Sequence, residues 1–179
     1  MRIRDWYFQG WERRPDENGK SRLVYTGERY SFPGGIGSVR GPAAAMTAGA
    51  AVLYLAAALF PPAGGMWRIA AISQLLEILP LVYLVMGLVC LFRAREPMTF
   101  RDHYASWRRM ERASLFSAVL AAVMTGTELV FLILHGGDAP SLPRELLFLA
   151  EAAGCAAVSI LLWHFIRKHP CYADGGKAT

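Results

Sequence analysis

Four stretches of this chain are almost free of charge: Ala43–Phe60, Met66–Phe92, Ala113–His135 and Glu145–Ile166. A helix needs about 20 predominantly apolar residues to cross about 30 Å of hydrocarbon at about 1.5 Å per residue. The pattern therefore predicts four membrane-spanning helices. The second is longer than a span requires and is expected to tilt. Pro80 removes a backbone donor within it, so a bend is expected there. Two short connections rich in Pro and Gly, residues 61–65 and 136–140, read as tight turns. The chain thus divides into an N-terminal segment (1–42), a four-helix transmembrane domain (43–166) and a tail (167–179). The lead before the first span is far longer than the basic region of a cleaved signal peptide. Neither end carries a lipidation motif.

Polar residues between the spans set the orientation. Lys and Arg number eight in residues 1–42, six in 93–112 and three in 167–179, against Arg68 and Arg144 alone at the opposite helix ends. The positive-inside rule places both termini and the middle connection in the cytoplasm. An even number of spans likewise requires both termini on one side. Trp67 at one edge, and Phe92, Trp107, Trp163 and Phe165 at the other, fit aromatic belts at the two interfaces.

The cytoplasmic segments have patterns of their own. Ile3, Trp6, Tyr7 and Trp11 fall near helical spacing and predict a short interfacial helix. Asn18-Gly19 is a type I′ turn signal. Arg22–Tyr25 and Arg29–Phe32 flank a second turn and predict a hairpin or a three-strand meander. A sheet this small needs the membrane, the middle connection or a partner to pack on. Thr99 and Asp102 have capping-box spacing. Beyond them Phe100, Tyr104, Trp107 and Met110 share a face, with Arg101, Arg108, Arg109 and Arg112 around the remainder. That describes an amphipathic helix on the inner surface, which can run on into the third span. Its arginines suit anionic lipid head groups, although positive-inside flanking alone also accounts for them. The basic residues are those that topology already requires and no recognition motif accompanies them, so nucleic acid is not an expected partner.

Three of the spans each hold one glutamate: Glu77, Glu128 and Glu151. Intramembrane carboxyls are costly, so each is a candidate site. Counting inward from the outer helix ends gives roughly 16 Å for Glu77 and about 10 Å for Glu128 and Glu151. They are expected to form one layer, with Gln74 beside it and His135 at its mouth. No Lys or Arg lies at that depth. On the third span Ser114, Ala118, Ala121, Thr125, Glu128, Leu132 and His135 form a polar and small stripe of the kind helices present to one another. Ser73, Glu77, Pro80, Leu84 and Gly87 do so on the second, and Glu151, Cys155 and Ser159 on the fourth. The first offers Ala45 and Gly49. Such a layer can bind protons or a cation, or join helices by hydrogen bonds. Oxygen ligands at this spacing select no particular metal.

At 179 residues, 54% hydrophobic and net charge +5, the composition fits an all-α integral membrane protein: a four-transmembrane-helix bundle with a small N-terminal β-hairpin or meander. The cell membrane is the expected location. Three cysteines without C-x-x-C spacing make a disulfide framework or thiol–disulfide chemistry unexpected. His164, His169 and Cys171 match no zinc pattern. Asp102-His103-Tyr104 reads as a solvated polar tripeptide, and Gly34-Gly35-Ile36-Gly37 lacks the lysine of a phosphate loop. No cofactor is implied. The leading expectation is a non-enzymatic accessory or scaffold subunit with a cytoplasmic face for a protein partner or a second copy. The alternative is a proton- or cation-coupled transporter using the carboxyl layer. An enzyme acting on lipid head groups at the inner face is weaker, because no catalytic constellation is evident there.

Overall fold

The computed structural model describes residues 11–15, 21–59, 62–63, 67–135 and 141–173. Most of the interfacial helix expected near the N-terminus and the Asn18-Gly19 turn lie outside the described residues. Trp11, assigned to that helix, instead opens a strand.

Four long helices dominate: α1 (Ile36–Leu59), α2 (Arg68–Arg93), α3 (Phe100–His135) and α4 (Leu142–Lys168). Each is long and apolar enough to cross a membrane, as expected of a multi-pass membrane protein. They pack as a closed ring, with α1 against α2 and α4, and α3 against α2 and α4. The outward surface is apolar: Val52, Leu75, Val119 and Leu161 are all exposed. A soluble monomer rarely exposes apolar surface so extensively. We call the end bearing Ile36, Arg93 and Lys168 the sheet end, and the other the turn end.

Three helices begin earlier than hydrophobicity alone predicts. α1 starts at Ile36 rather than Ala43, passing through Gly37, Gly41 and Pro42. Glu96, distant in sequence, explains this: its carboxylate accepts the Phe32 N–H and the Ile36 N–H, each at 2.8 Å. It therefore supplies the cap that the local sequence lacks. Gly35 turns the chain into the helix with φ 74°, a left-handed value that favours glycine. Arg40 returns the interaction, with Nε donating to the Leu91 carbonyl (3.2 Å) and Nη2 to that of Ala94 (2.6 Å). A cation thus satisfies the free carbonyls at the C-terminus of α2. α2 continues through Pro80 without interruption.

α3 is one run of 36 residues, about 54 Å long, well beyond a bilayer's hydrocarbon of about 30 Å. Its first turns, which carry Arg101, Arg108, Arg109 and Arg112, thus extend beyond the apolar part from Ala113. They do not form a separate surface helix. A π-helical segment, Tyr104–Arg108, joins them to the span, and they pack along α2. Gly87 permits this approach, since a Cβ there would lie 2.5 Å from Met110 Cγ. The expected Thr99 cap is present, its Oγ1 accepting the Asp102 N–H at 3.2 Å.

The strands form two sheets. β1 (Trp11–Pro15) and β2 (Ser21–Tyr25) pair as an antiparallel hairpin, Trp11 opposite Tyr25. β3 (Arg29–Ser31) does not extend it into a meander. It is the centre strand between β4 (Met98–Thr99) and β5 (Tyr172–Ala173), both antiparallel to it. The N-terminal segment, the middle connection and the tail are thereby joined in one sheet. Tyr30 and Met98 are buried beneath it. Phe32 packs edge-on against Trp107 at 5.0 Å, and His103 stacks on Tyr30 at 4.5 Å and 7°. Burial and Arg108 lower the His103 pKa to about 4. Tyr25 links the hairpin to the same platform by accepting the Phe100 N–H at 3.0 Å.

Candidate functional site: buried carboxyls at two levels

The α2 stripe read from sequence is the observed one: Ser73, Glu77, Pro80, Leu84 and Gly87 are all buried. On α3 the buried stripe is Ser114, Ser117, Ala121, Met124, Glu128 and Phe131. It is rotated slightly from the expected one and brings in Ser117. On α4 it is Glu145, Phe148, Ala152, Cys155, Ser159 and Leu162. Glu151 sits one residue off that stripe and is only half-buried. On α1 the inward residues include Ala43, Thr47 and Ala50, whereas Ala45 is exposed and Gly49 half-buried.

Glu77 is fully buried, and its Oε1 accepts a hydrogen bond from the Ser117 hydroxyl. The Ser117 hydroxyl lies 2.9 Å from that of Ser159, so α2, α3 and α4 share one polar cluster. Glu77 Oε2 is buried without a hydrogen bond. Cys155, a turn from Ser159, donates its thiol to the Ala50 carbonyl at 3.7 Å and ties α4 to α1. Nearby, Tyr54 donates to the backbone carbonyl of Gln74 at 3.0 Å, while Gln74 Nε2 is buried without a partner.

Glu128 belongs to a second cluster. It is fully buried, and its neighbouring acid is Glu145. Two carboxylates are both acceptors, so they can bond each other only by retaining a proton between them. Glu145 is also buried, and its Oε1 accepts the Ala63 N–H at 3.0 Å, which anchors the turn between α1 and α2.

The expected single layer is therefore two. From Ser117 to Glu128 is about 16 Å along α3, and from Ser159 to Glu145 about 21 Å along α4. Between the levels α3 buries Leu120, Ala121 and Met124, all apolar. The depth count placed Glu77 and Glu128 at similar heights because it treated all helix ends as level. In the sequence reading Glu145 serves only as the boundary of the fourth span. Pro143 in the first turn lets α4 begin at Leu142, which carries Glu145 inside. Extending the Ser159–Cys155 stripe back by alternating steps would have found it.

His135 does not reach the carboxyls. It stacks on Phe131 at 5.2 Å and meets Trp67 edge-on at 5.6 Å, in an aromatic cluster at the turn end.

The four arginines divide. Arg108, Arg109 and Arg112 line a cavity of about 430 Å³ between α2 and α3, and Arg101 does not. Arg108 pairs with Glu111 at 3.1 Å. Arg109 lies over Tyr83 at 5.6 Å; Arg112 lies over Tyr104 at 5.4 Å and donates to its hydroxyl at 3.0 Å. His164, His169 and Cys171 do not converge: among the described residues no group of three or more His, Cys, Asp or Glu is placed to hold a metal. Cys171 is buried, and burial followed by Glu96 pushes its thiol pKa up to about 12.

No protein-family model, curated protein or solved structure matches the chain.

Proposed function

We propose that this chain is a non-enzymatic accessory or scaffold subunit of the cell membrane. The four helices form its transmembrane bundle, and the sheet end is its cytoplasmic contact face. The observation that carries the reading is the β4–β3–β5 sheet, assembled from three separate segments and fastened to α1 and α2 by Glu96 and Arg40. Among the described residues Arg40, Arg93, Arg95, Arg101, Arg167 and Lys168 also lie at this end, as the positive-inside rule requires of a cytoplasmic face. Three of its ionisable side chains have structural tasks: Glu96 caps α1, Asp102 accepts from Thr99 at 2.9 Å, and His103 stacks on Tyr30. A rigid platform of this kind suits a protein partner or a second copy.

The test is gentle extraction of the full chain from its native membrane, followed by sizing and quantitative identification of co-purifying proteins. A defined complex that is lost on Tyr30→Ala, with the helices still folded, supports the reading. A monodisperse monomer with no stoichiometric partner overturns it.

Glu128 and Glu145 favour a second reading, because two adjacent buried carboxyls are costly unless they share a proton or bind a cation. α3 is apolar between the two levels, but Ser73, Gln74 and Tyr54 lie on the turn-end side of Glu77 and would be the intermediate groups of a proton- or cation-coupled path. Flux in reconstituted vesicles should fall on Glu77→Gln, Glu128→Gln and Glu145→Gln. Equal flux from the triple variant excludes this reading.

A further inference from the structure

We infer that the cavity between α2 and α3 is a binding site for one anionic phospholipid of the inner leaflet. The inference rests on the bilayer placement and orientation proposed above. The cavity is graded along its length. Arg108, Arg109 and Arg112 form its rim toward the sheet end. Leu79, Pro80 and Phe116 line it one turn further toward the bilayer centre. Leu79 is 55% and Phe116 49% exposed on the outside of the helix ring, so the cavity opens sideways to lipid. A phospholipid of the inner leaflet has the same polarity, with phosphate at the interface and acyl chain toward the midplane.

The rim also has unbalanced charge. Arg108 is compensated by Glu111, whereas among the described residues Arg109 and Arg112 form no ion pair. Both guanidiniums are held against aromatic rings and Arg112 is bonded to Tyr104, an arrangement that fixes them while leaving donors free. Arginine's planar fork suits a phosphate diester. Free inorganic phosphate would satisfy the rim and leave the apolar end without an occupant. The volume, about 430 Å³, accommodates a phosphate and the first part of a chain, not a whole lipid.

Purified full-length protein in neutral detergent is titrated with phosphatidylglycerol, phosphatidylcholine or inorganic phosphate, and bound species are counted by native mass spectrometry. One phosphatidylglycerol per chain is expected, held in preference to phosphatidylcholine. Removing two interfacial cations by Arg109→Gln/Arg112→Gln should weaken it about 30-fold, and Arg112→Gln alone about fivefold if the double variant does not fold. Arg101→Gln, outside the cavity, should leave binding unchanged. Equal retention of both lipids, saturation by inorganic phosphate alone, or undiminished binding in the arginine variants would overturn the assignment. A chain that does not enter membranes in the first place refutes the bilayer placement instead, which a carbonate-extraction control reads separately.

Discussion

Replacing Glu96 by alanine should release the sheet end from the helices without melting the helices themselves. The carboxylate binds two N–H groups, those of Phe32 and Ile36, each at 2.8 Å. Both residues are buried, 5% and 8% exposed, so their amides have little alternative access to water. A hydrogen bond to a charged group contributes about 1.5–3 kcal/mol, and a negative charge at a helix N-terminus adds a few tenths more. Glu96 itself is exposed, so water can enter once the side chain is gone, and the lower end of the range applies to the pair. We expect a local cost of about 2–3 kcal/mol, equivalent to roughly 30- to 150-fold in the opening equilibrium.

Hydrogen–deuterium exchange measures this opening directly. Peptides covering residues 29–40 should lose protection by that factor in Glu96→Ala, while peptides from the middle of α4 keep theirs. Glu96→Gln retains one acceptor and should lose about half as much free energy. Arg95→Gln, at the exposed neighbouring position, is the control. Unchanged exchange over residues 29–40 would refute the capping argument. Uniform loss across all four helices would show that Glu96 supports global rather than local stability.

Three further outcomes follow from buried polar groups. His103 has its pKa lowered from 6.5 to about 4, so its contribution is intact above pH 6.5 and declines as the pH falls toward 4, by at most about 3 kcal/mol; sheet-end exchange should rise over that window, and His103→Phe, which keeps the ring stack, should flatten the profile. Ser117→Ala removes the donor to Glu77 Oε1 and should destabilise the chain by about 1–3 kcal/mol; if thermal unfolding in detergent shows Glu77→Leu/Ser117→Ala to be as destabilised as the two single changes summed, the bond is not the source. Cys171, with its thiol pKa raised to about 12, should react with maleimide at pH 8 on the order of 1,000-fold more slowly than an ordinary thiol, and Tyr30→Ala, which opens the buried cluster that both residues belong to, should speed the reaction.

The four helices were legible because a long apolar run is a signal in composition that needs no knowledge of neighbours. Their ends were less so. Hydrophobicity falls away at Gly41-Pro42, yet α1 begins at Ile36 because a carboxylate from residue 96 caps it. The strands show the same limit. Residues 29–32 read as a strand, but a three-residue strand has no preference of its own between β2 and the residues that pair with it, Met98, Thr99, Tyr172 and Ala173. Those two-residue partners carry no period to detect.

The carboxyl site failed in the sequence by a single residue on α4, with a large consequence. One residue is about 100° on a helix, so choosing Glu151 over Ala152 turns the inward face toward a different neighbour. The α2 stripe was legible because Ser73, Glu77, Pro80 and Gly87 leave one face that is unlike Leu and Val. On α4 almost every residue between Ala150 and Ala157 is small, so the stripe has little contrast there, and Glu151 competes with the Ser159–Cys155 stripe that continues to Glu145. Height was misjudged for a related reason. Antiparallel helices of equal length need not start level, and the bond from Ser117 to Glu77 establishes their register where residue counting cannot. Polar residues within long apolar helices can thus be nominated from sequence, but which of them share a site depends on helix rotation and vertical offset, both fixed by packing between helices rather than within one.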